Sequence, residues 1–141
     1  MEETVFNHST VVQIRFNDID GLGHVNNTTI QEYFDLGRMH YMKDVFTNAI
    51  FSGEATLILA NINTDFLSPV YLKDQLEVKT AIVRIGTKSL QMEQQVIDKA
   101  SGVVKAMCKS VMVAFLKIEE VAIEIKPEWR EQVCSREKKE L

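Results

Sequence analysis

Four long β-compatible segments follow Gly53 and constrain the fold more than anything else in the chain. They are Ala55 to Phe66, Gln75 to Ile85, Ser89 to Lys99 and Val103 to Lys117, all rich in Val, Ile, Thr and Leu. Strands this long exceed the usual five or six residues, so a sheet built from them must curve. Ser68-Pro69 and Lys73-Asp74, then Gly86-Thr87, then Ser101-Gly102 interrupt the runs. The last three segments are joined by short turns, so an antiparallel meander is the simplest path. Ahead of them stands one long helical pattern, with Ile30, Tyr33, Phe34, Gly37, Tyr41 and Val45 near one stripe. Asn27 or Thr28 caps it, with capping-box spacing from Thr28 to Gln31, and it stops before Ser52-Gly53. Gly37 costs about 1 kcal/mol relative to Ala inside a helix, which predicts close approach to a packed surface as the compensation. Upstream, Val11 to Asn17 alternates, placing Val12, Ile14 and Phe16 on the buried face of a strand. Downstream, Pro127 to Arg136 predicts a short helix with Pro127 near its first position, followed by a charged end, Arg136 to Glu140, that frays. The fold class is therefore α+β: a central helix buried against about five curved antiparallel strands. Such a sheet leaves open edges, and a second copy covering one of them predicts a symmetric dimer.

At 141 residues the chain suits one domain, 1–141, with its core at about 10–117 and a tail at 118–141. No apolar run approaches the roughly 20 residues of a membrane span, so no membrane insertion is expected. The opening Met1-Glu2-Glu3 has the wrong charge for a secretion signal, which predicts a cytoplasmic location. Sixteen basic against twenty acidic side chains give a net charge of −4, the wrong sign for a nucleic-acid binder. Cys108 and Cys134 lack metal-type spacing and read as reduced thiols, with Cys108 a small buried residue of an apolar strand. Met92, Met107 and Met112 read as core filler. Asp18, Asp20 and Gly23 fall on positions one, three and six of a calcium loop. Leu22 and Thr29 occupy positions five and twelve, so no metal is expected.

The chemistry concentrates in the loop before the long helix, where Asp18, Asp20, His24, Asn26 and Asn27 crowd into ten residues. The first amides of a helix have no internal partners and carry the positive end of its dipole. A carbonyl oxygen docked there is polarised, and an oxyanion formed from it is stabilised. A carboxylate on the incoming loop could attack that carbonyl or activate water against it. These parts suit hydrolysis of an activated acyl group. Asp, Gly and Asn at this density also make turns and caps, so residue chemistry alone leaves both readings open.

The stretch Arg15-Phe16-Asn17-Asp18-Ile19-Asp20-Gly21-Leu22-Gly23-His24-Val25-Asn26-Asn27 resembles the signature of hotdog-fold acyl thioesterases. It fits the 4-hydroxybenzoyl-CoA thioesterase family and its relatives, the plant-type acyl-ACP thioesterases. The likeness continues through Tyr33 to Arg38, Asp65 to Asp74 and Arg84 to Ser89, covering roughly residues 10–117. It implies a long helix wrapped by an antiparallel sheet, in dimers that often pair into tetramers. It implies Asp20 as the catalytic carboxylate, His24 in a polar catalytic or orienting role, and Asn26 and Asn27 as the paired asparagines where the helix begins. Asp20, His24 and Asn26 are thus the expected catalytic set, with Asn27 and Thr28 at the oxyanion-holding helix start. The substrate would be acyl-CoA or acyl-ACP, and no cofactor is implied. Arg84 and Lys88, with Lys105 and Lys109, are candidate contacts for coenzyme A phosphates, although strand alternation also supplies outward charge.

Leu22 stands where the plant-type enzymes have asparagine, Ile30 where many members carry an aromatic residue, and Asp35 where the helical Phe-Glu-x-x-Arg stretch has glutamate. The first two motivate an alternative, a non-catalytic acyl-thioester-binding protein on the same fold. A hotdog dehydratase is the weaker alternative, since no second His stands in a suitable strand or loop.

Overall fold

Every long β-segment read from the sequence forms a strand, and the strands lie in one antiparallel sheet. The computed structural model describes residues 3–141; Met1 and Glu2, whose charge entered the reading of the N-terminus, lie outside it. The elements are β1 (His8–Val12), α1 (Asn27–Val45), α2 (Ala49–Ser52), β2 (Ala55–Phe66), β3 (Leu76–Ile85), β4 (Ser89–Asp98), β5 (Val104–Leu116), β6 (Val121–Ala122) and α3 (Pro127–Glu137). The sheet runs in the order β1-β3-β4-β5-β2, and β6 pairs with the end of β5. β3, β4 and β5 form the expected meander, and β2 returns along the far side of β5.

Period-two alternation turns one face of the sheet toward α1, with Val78, Leu90, Met92, Val96, Ala106 and Met112 all buried. The core has two parts. Around the C-terminal half of α1, Tyr41, Met42 and Phe46 pack with Ile82, Leu90 and Met112, and α3 adds Trp129 and Val133. Around its N-terminal half, Ile30, Tyr33 and Phe34 pack with Val25, Val70, Leu76 and Val78. Gly37 lies where the helix touches the sheet: a Cβ there would stand 2.5 Å from Val78 Cγ1 and 3.1 Å from Gln94 Nε2. Gln94, itself buried, donates to the carbonyl of Phe34 at 2.9 Å and so ties helix to strand. Gly37→Ala should therefore destabilise despite its better helix propensity. Overpacking of about 1–3 kcal/mol outweighs a gain of about 1 kcal/mol, and thermal denaturation should show Tm falling by several degrees.

Four details differ from the sequence reading, each for a local reason. The first strand starts earlier and stops at Val12, because the Asp18 carboxylate takes the Arg15 amide at 3.0 Å and folds Phe16–Asp18 into a 3₁₀ turn. Val12 stays in the core as expected, whereas Phe16 is 80% exposed. The cap of α1 is Asn26, one residue before the pair expected. Met107 faces out from β5, on the side opposite the buried Cys108. Last, the charged end is helical at its start, and only its Lys138 to Glu140 lie past α3, exposed. Arg136 and Glu137 belong to α3, and Glu137 is 5% exposed.

The sheet ends in β1 on one side and β2 on the other. β2 leaves Ile58, Leu59, Ile62 and Phe66 partly exposed. Among the described residues, no helix is long and apolar enough to cross a membrane.

Candidate active site

The loop between β1 and α1 is held by its own backbone. Asp20 N–H donates to the His24 carbonyl at 3.0 Å, and Gly23 N–H donates to the Asp20 carbonyl at 3.1 Å. Gly23 takes φ +89°, a left-handed value that favours glycine at this turn. Asn26 N–H donates to the Asp18 carbonyl at 3.1 Å, which delivers the chain to the start of α1.

There Asn26 Oδ1 accepts the Thr28 amide at 2.7 Å. This bond changes the expected oxyanion site, since the Thr28 amide is already engaged. Among the described residues, the amides of Asn27 and Thr29 have no hydrogen-bond partner. Asn26 Nδ2 points the other way, 3.5 Å from Asp20 Oδ2. The other oxygen of Asp20 accepts the Leu22 amide at 2.8 Å. Asp20 is half-buried, and among the described residues no Lys, Arg or His nitrogen lies within ion-pair distance of it. Its carboxylate is thus oriented by two neutral donors and left without a counter-charge.

His24 Nδ1 lies 3.3 Å from the Val25 carbonyl. A carbonyl only accepts, so the proton of the neutral ring sits on Nδ1 and Nε2 keeps its lone pair. Beside it is a cleft of about 210 Å³ lined by His24, Asn27, Ile30, Phe66, Leu67 and Val70, among others. Its far wall is the chain leaving β2, joined to the β1–α1 loop by a 2.8 Å bond from Val25 N–H to the Val70 carbonyl. Sequence reasoning does not single out residues 66–70 as part of the site: it reads Ser68-Pro69 as a break between strands and Asp65 to Asp74 as part of the family likeness. The available signal was Val70, an apolar residue in a turn that proves fully buried.

Asp18 has a separate, structural role beneath the loop. It is 3% exposed and accepts from Tyr33 Oη at 2.6 Å and from Arg15 Nη2 at 3.0 Å as well as from the Arg15 amide. Burial pushes its pKa up, but the bonds from Tyr33 and Arg15 outweigh burial and hold it below the ordinary carboxylate value. Burial, then the bond to Asp18, holds the Tyr33 phenol well above its usual range, so it remains a donor. A carboxylate with a depressed folded-state pKa adds stability above its unfolded value, near 4, and loses it as pH falls through the folded value. Tm of the native protein should therefore fall more steeply below about pH 4 than that of Asp18→Asn, measured by thermal denaturation across a pH series.

The proposed phosphate contacts are not gathered around Asp20 within one chain. Arg84 and Lys88 are exposed at the β3–β4 hairpin, where Arg130 Nη2 donates to the Gly86 carbonyl. β3 begins beside Val25 and Val70 and rises about 3.3 Å per residue, which leaves that hairpin roughly 30 Å away. Lys109 is exposed on the outer face, and Lys105 is buried rather than free to meet a phosphate.

The fold is that of a hotdog protein, a curled antiparallel sheet of five main strands around a helix. The chain belongs to the thioesterase-like superfamily, whose family model matches residues 14–133. It is similar to a thioesterase of Thermus thermophilus crystallised with coenzyme A and zinc, at 29% identity and a TM-score of 0.85, over 96% of this chain and 98% of that one. It is likewise similar to a predicted thioesterase of Bacillus stearothermophilus, at 29% identity and a TM-score of 0.82, over 92% of this chain and 95% of that one. Over 91 residues, 64% of this chain, it is 29% identical to the uncharacterized protein YsmA of Bacillus subtilis strain 168. That match spans 60% of the relative's own length.

Proposed function

We propose that the protein is an acyl-CoA or acyl-ACP thioesterase, of the kind of the 4-hydroxybenzoyl-CoA and plant-type acyl-ACP enzymes. The observation that carries this reading is the Asp20 carboxylate. It is oriented by Leu22 and Asn26, has no counter-charge among the described residues, and is joined through Asn26 to a helix start where the Asn27 amide is free among those residues. The thioester carbonyl docks in the cleft with its oxygen on the Asn27 amide. Asp20 takes a proton from water as the hydroxide adds to the carbonyl carbon, and the positive helix end holds the resulting oxyanion. Collapse breaks the carbon–sulfur bond, the thiolate recovers the proton, and free carboxylate remains. Direct attack by Asp20, through an anhydride that water then opens, uses the same geometry. His24 assists through Nε2, and Asn26 holds the carboxylate in place. Neither route calls for a cofactor.

A homodimer, which can pair further into a tetramer, completes the reading. The partly exposed Ile58, Leu59 and Ile62 on edge strand β2 support a second copy there. A non-catalytic acyl-thioester binder is the second reading, favoured by the 81% exposed Leu22 and by the use of Asn26 Oδ1 as a cap. The two part on one experiment, in which purified protein meets short, medium, long and aromatic acyl-CoAs while free thiol and free acid are assayed. Equal release of both from some of the series is expected. Saturable binding with neither product would favour the binder.

A further inference from the structure

We propose that Lys105 is a positioning residue for this site, a buried strap that sets the cleft wall and, through it, the loop carrying Asp20 and His24. Lys105 opens the buried part of β5 and is 7% exposed, an unusual place for an ammonium group. Its carbonyl accepts the amides of Leu67 at 2.9 Å and Ser68 at 3.1 Å. Its Nζ donates to the Pro69 carbonyl at 2.9 Å and lies 3.3 Å from Asp74 Oδ2. It also sits 5.5 Å from the centre of the Tyr71 ring. Asp74 is likewise buried at its side chain, and its Oδ2 accepts the Tyr71 amide at 2.8 Å. One residue thus grips the stretch from Leu67 to Tyr71 with both backbone and side chain. The next bond along, Val70 carbonyl to Val25 amide, reaches the residue between His24 and Asn26. A line of hydrogen bonds therefore runs from Lys105 to the catalytic loop without Lys105 touching the cleft's contents.

An ordinary loop anchor would need only the ion pair with Asp74. The bond to Pro69 goes further, because it fixes the carbonyl next to Val70, the residue that meets the catalytic loop. Misplacing reacting groups by an ångström can lower a rate about 100-fold, so a wall held by one ammonium group is enough to govern turnover.

The inference rests on the hydrolase reading above, and its test separates the two. Lys105→Met keeps the stem and removes the charge, leaving Asp74 buried without its cation, which should lower Tm. Lys105→Met with Asp74→Asn removes both charges and keeps an acceptor for the Tyr71 amide. Exchanging a buried ion pair for neutral groups is often close to neutral in stability, so this double variant should recover much of the lost Tm. Its kcat on the best acyl-CoA should nevertheless stay about tenfold or more below the native value, with KM little changed. Hydrogen exchange should speed up in residues 66–75 and at the Val25 amide, with α3 unaffected.

Native kcat in the double variant would overturn the proposal and make Lys105 a stabilising residue only. A change confined to KM would overturn it as well, by placing Lys105 in substrate binding. If native protein hydrolyses no acyl thioester, the hydrolase reading fails by itself. The exchange arm then still decides the strap, because native protection of residues 66–75 in the double variant would remove it.

Discussion

Asp20→Asn is expected to give a folded protein whose kcat on acyl thioesters is lower by about 10²–10⁴-fold, the usual worth of a positioned general base. Asparagine keeps an oxygen for the Leu22 amide, the 2.8 Å bond that shapes the turn, so the loop should survive. What disappears is the negative oxygen beside Asn26 Nδ2, the group proposed to take a proton or attack. The loss should fall on kcat with KM nearly unchanged, because the cleft walls and the Asn27 amide are untouched. Circular dichroism and Tm close to native values establish that the variant is folded.

The largest expected effect on stability lies at the other end of α1. Glu137 accepts from Tyr41 Oη and, at 3.2 Å, from the Ile82 amide, which sits where β3 shifts register against β4. Burial, then the bond to Glu137, keeps the Tyr41 phenol far above its usual pKa, so it serves as a neutral donor. Glu137→Leu would leave two buried donors without an acceptor, at about 1–3 kcal/mol each. At the low end, about 2 kcal/mol in all, this should lower Tm by roughly 5–8 °C in urea-free buffer, and by more toward the high end. Glu137→Gln retains one acceptor and should lose clearly less. Equal Tm for native protein and Glu137→Leu would show that the carboxylate does not tie α3 to the core.

Glu137 also shows where sequence reading stops. Read along the chain, Arg136 to Glu140 is a solvated charged end, and nothing local marks Glu137 as buried. Its partner Tyr41 stands 96 residues away, and only the folded packing of α3 on α1 and β3 brings them together. Lys105 misled for a related reason. Alternation turns it outward from β5, but the 67–74 loop folds over it and encloses the ammonium. The long strands were legible because each buries a whole face, which imposes a strict period on its residues. Gly37 was legible because an unfavourable residue in mid-helix needs a compensating contact, and Val78 supplies it. The start of α1 was harder. Asn26-Asn27-Thr28-Thr29 offers four residues that can cap, and the choice of Asn26 is made upstream, where Asp18 folds the Arg15 turn and receives Asn26 N–H on its carbonyl. The aspartate-rich loop stood out as a polar cluster that suits chemistry or turns alike, while the opposing wall at 66–70 was not marked as part of the cleft, because its place depends on Val70 meeting Val25.

The central claim is that Asp20, set against the free amides of α1, cleaves acyl thioesters. The most direct measurement is thiol release from the best acyl-CoA of the series by native protein and Asp20→Asn at equal folded concentration. The account predicts steady release by the native protein and at least about a hundredfold less by the variant. Equal rates from the two proteins would contradict it.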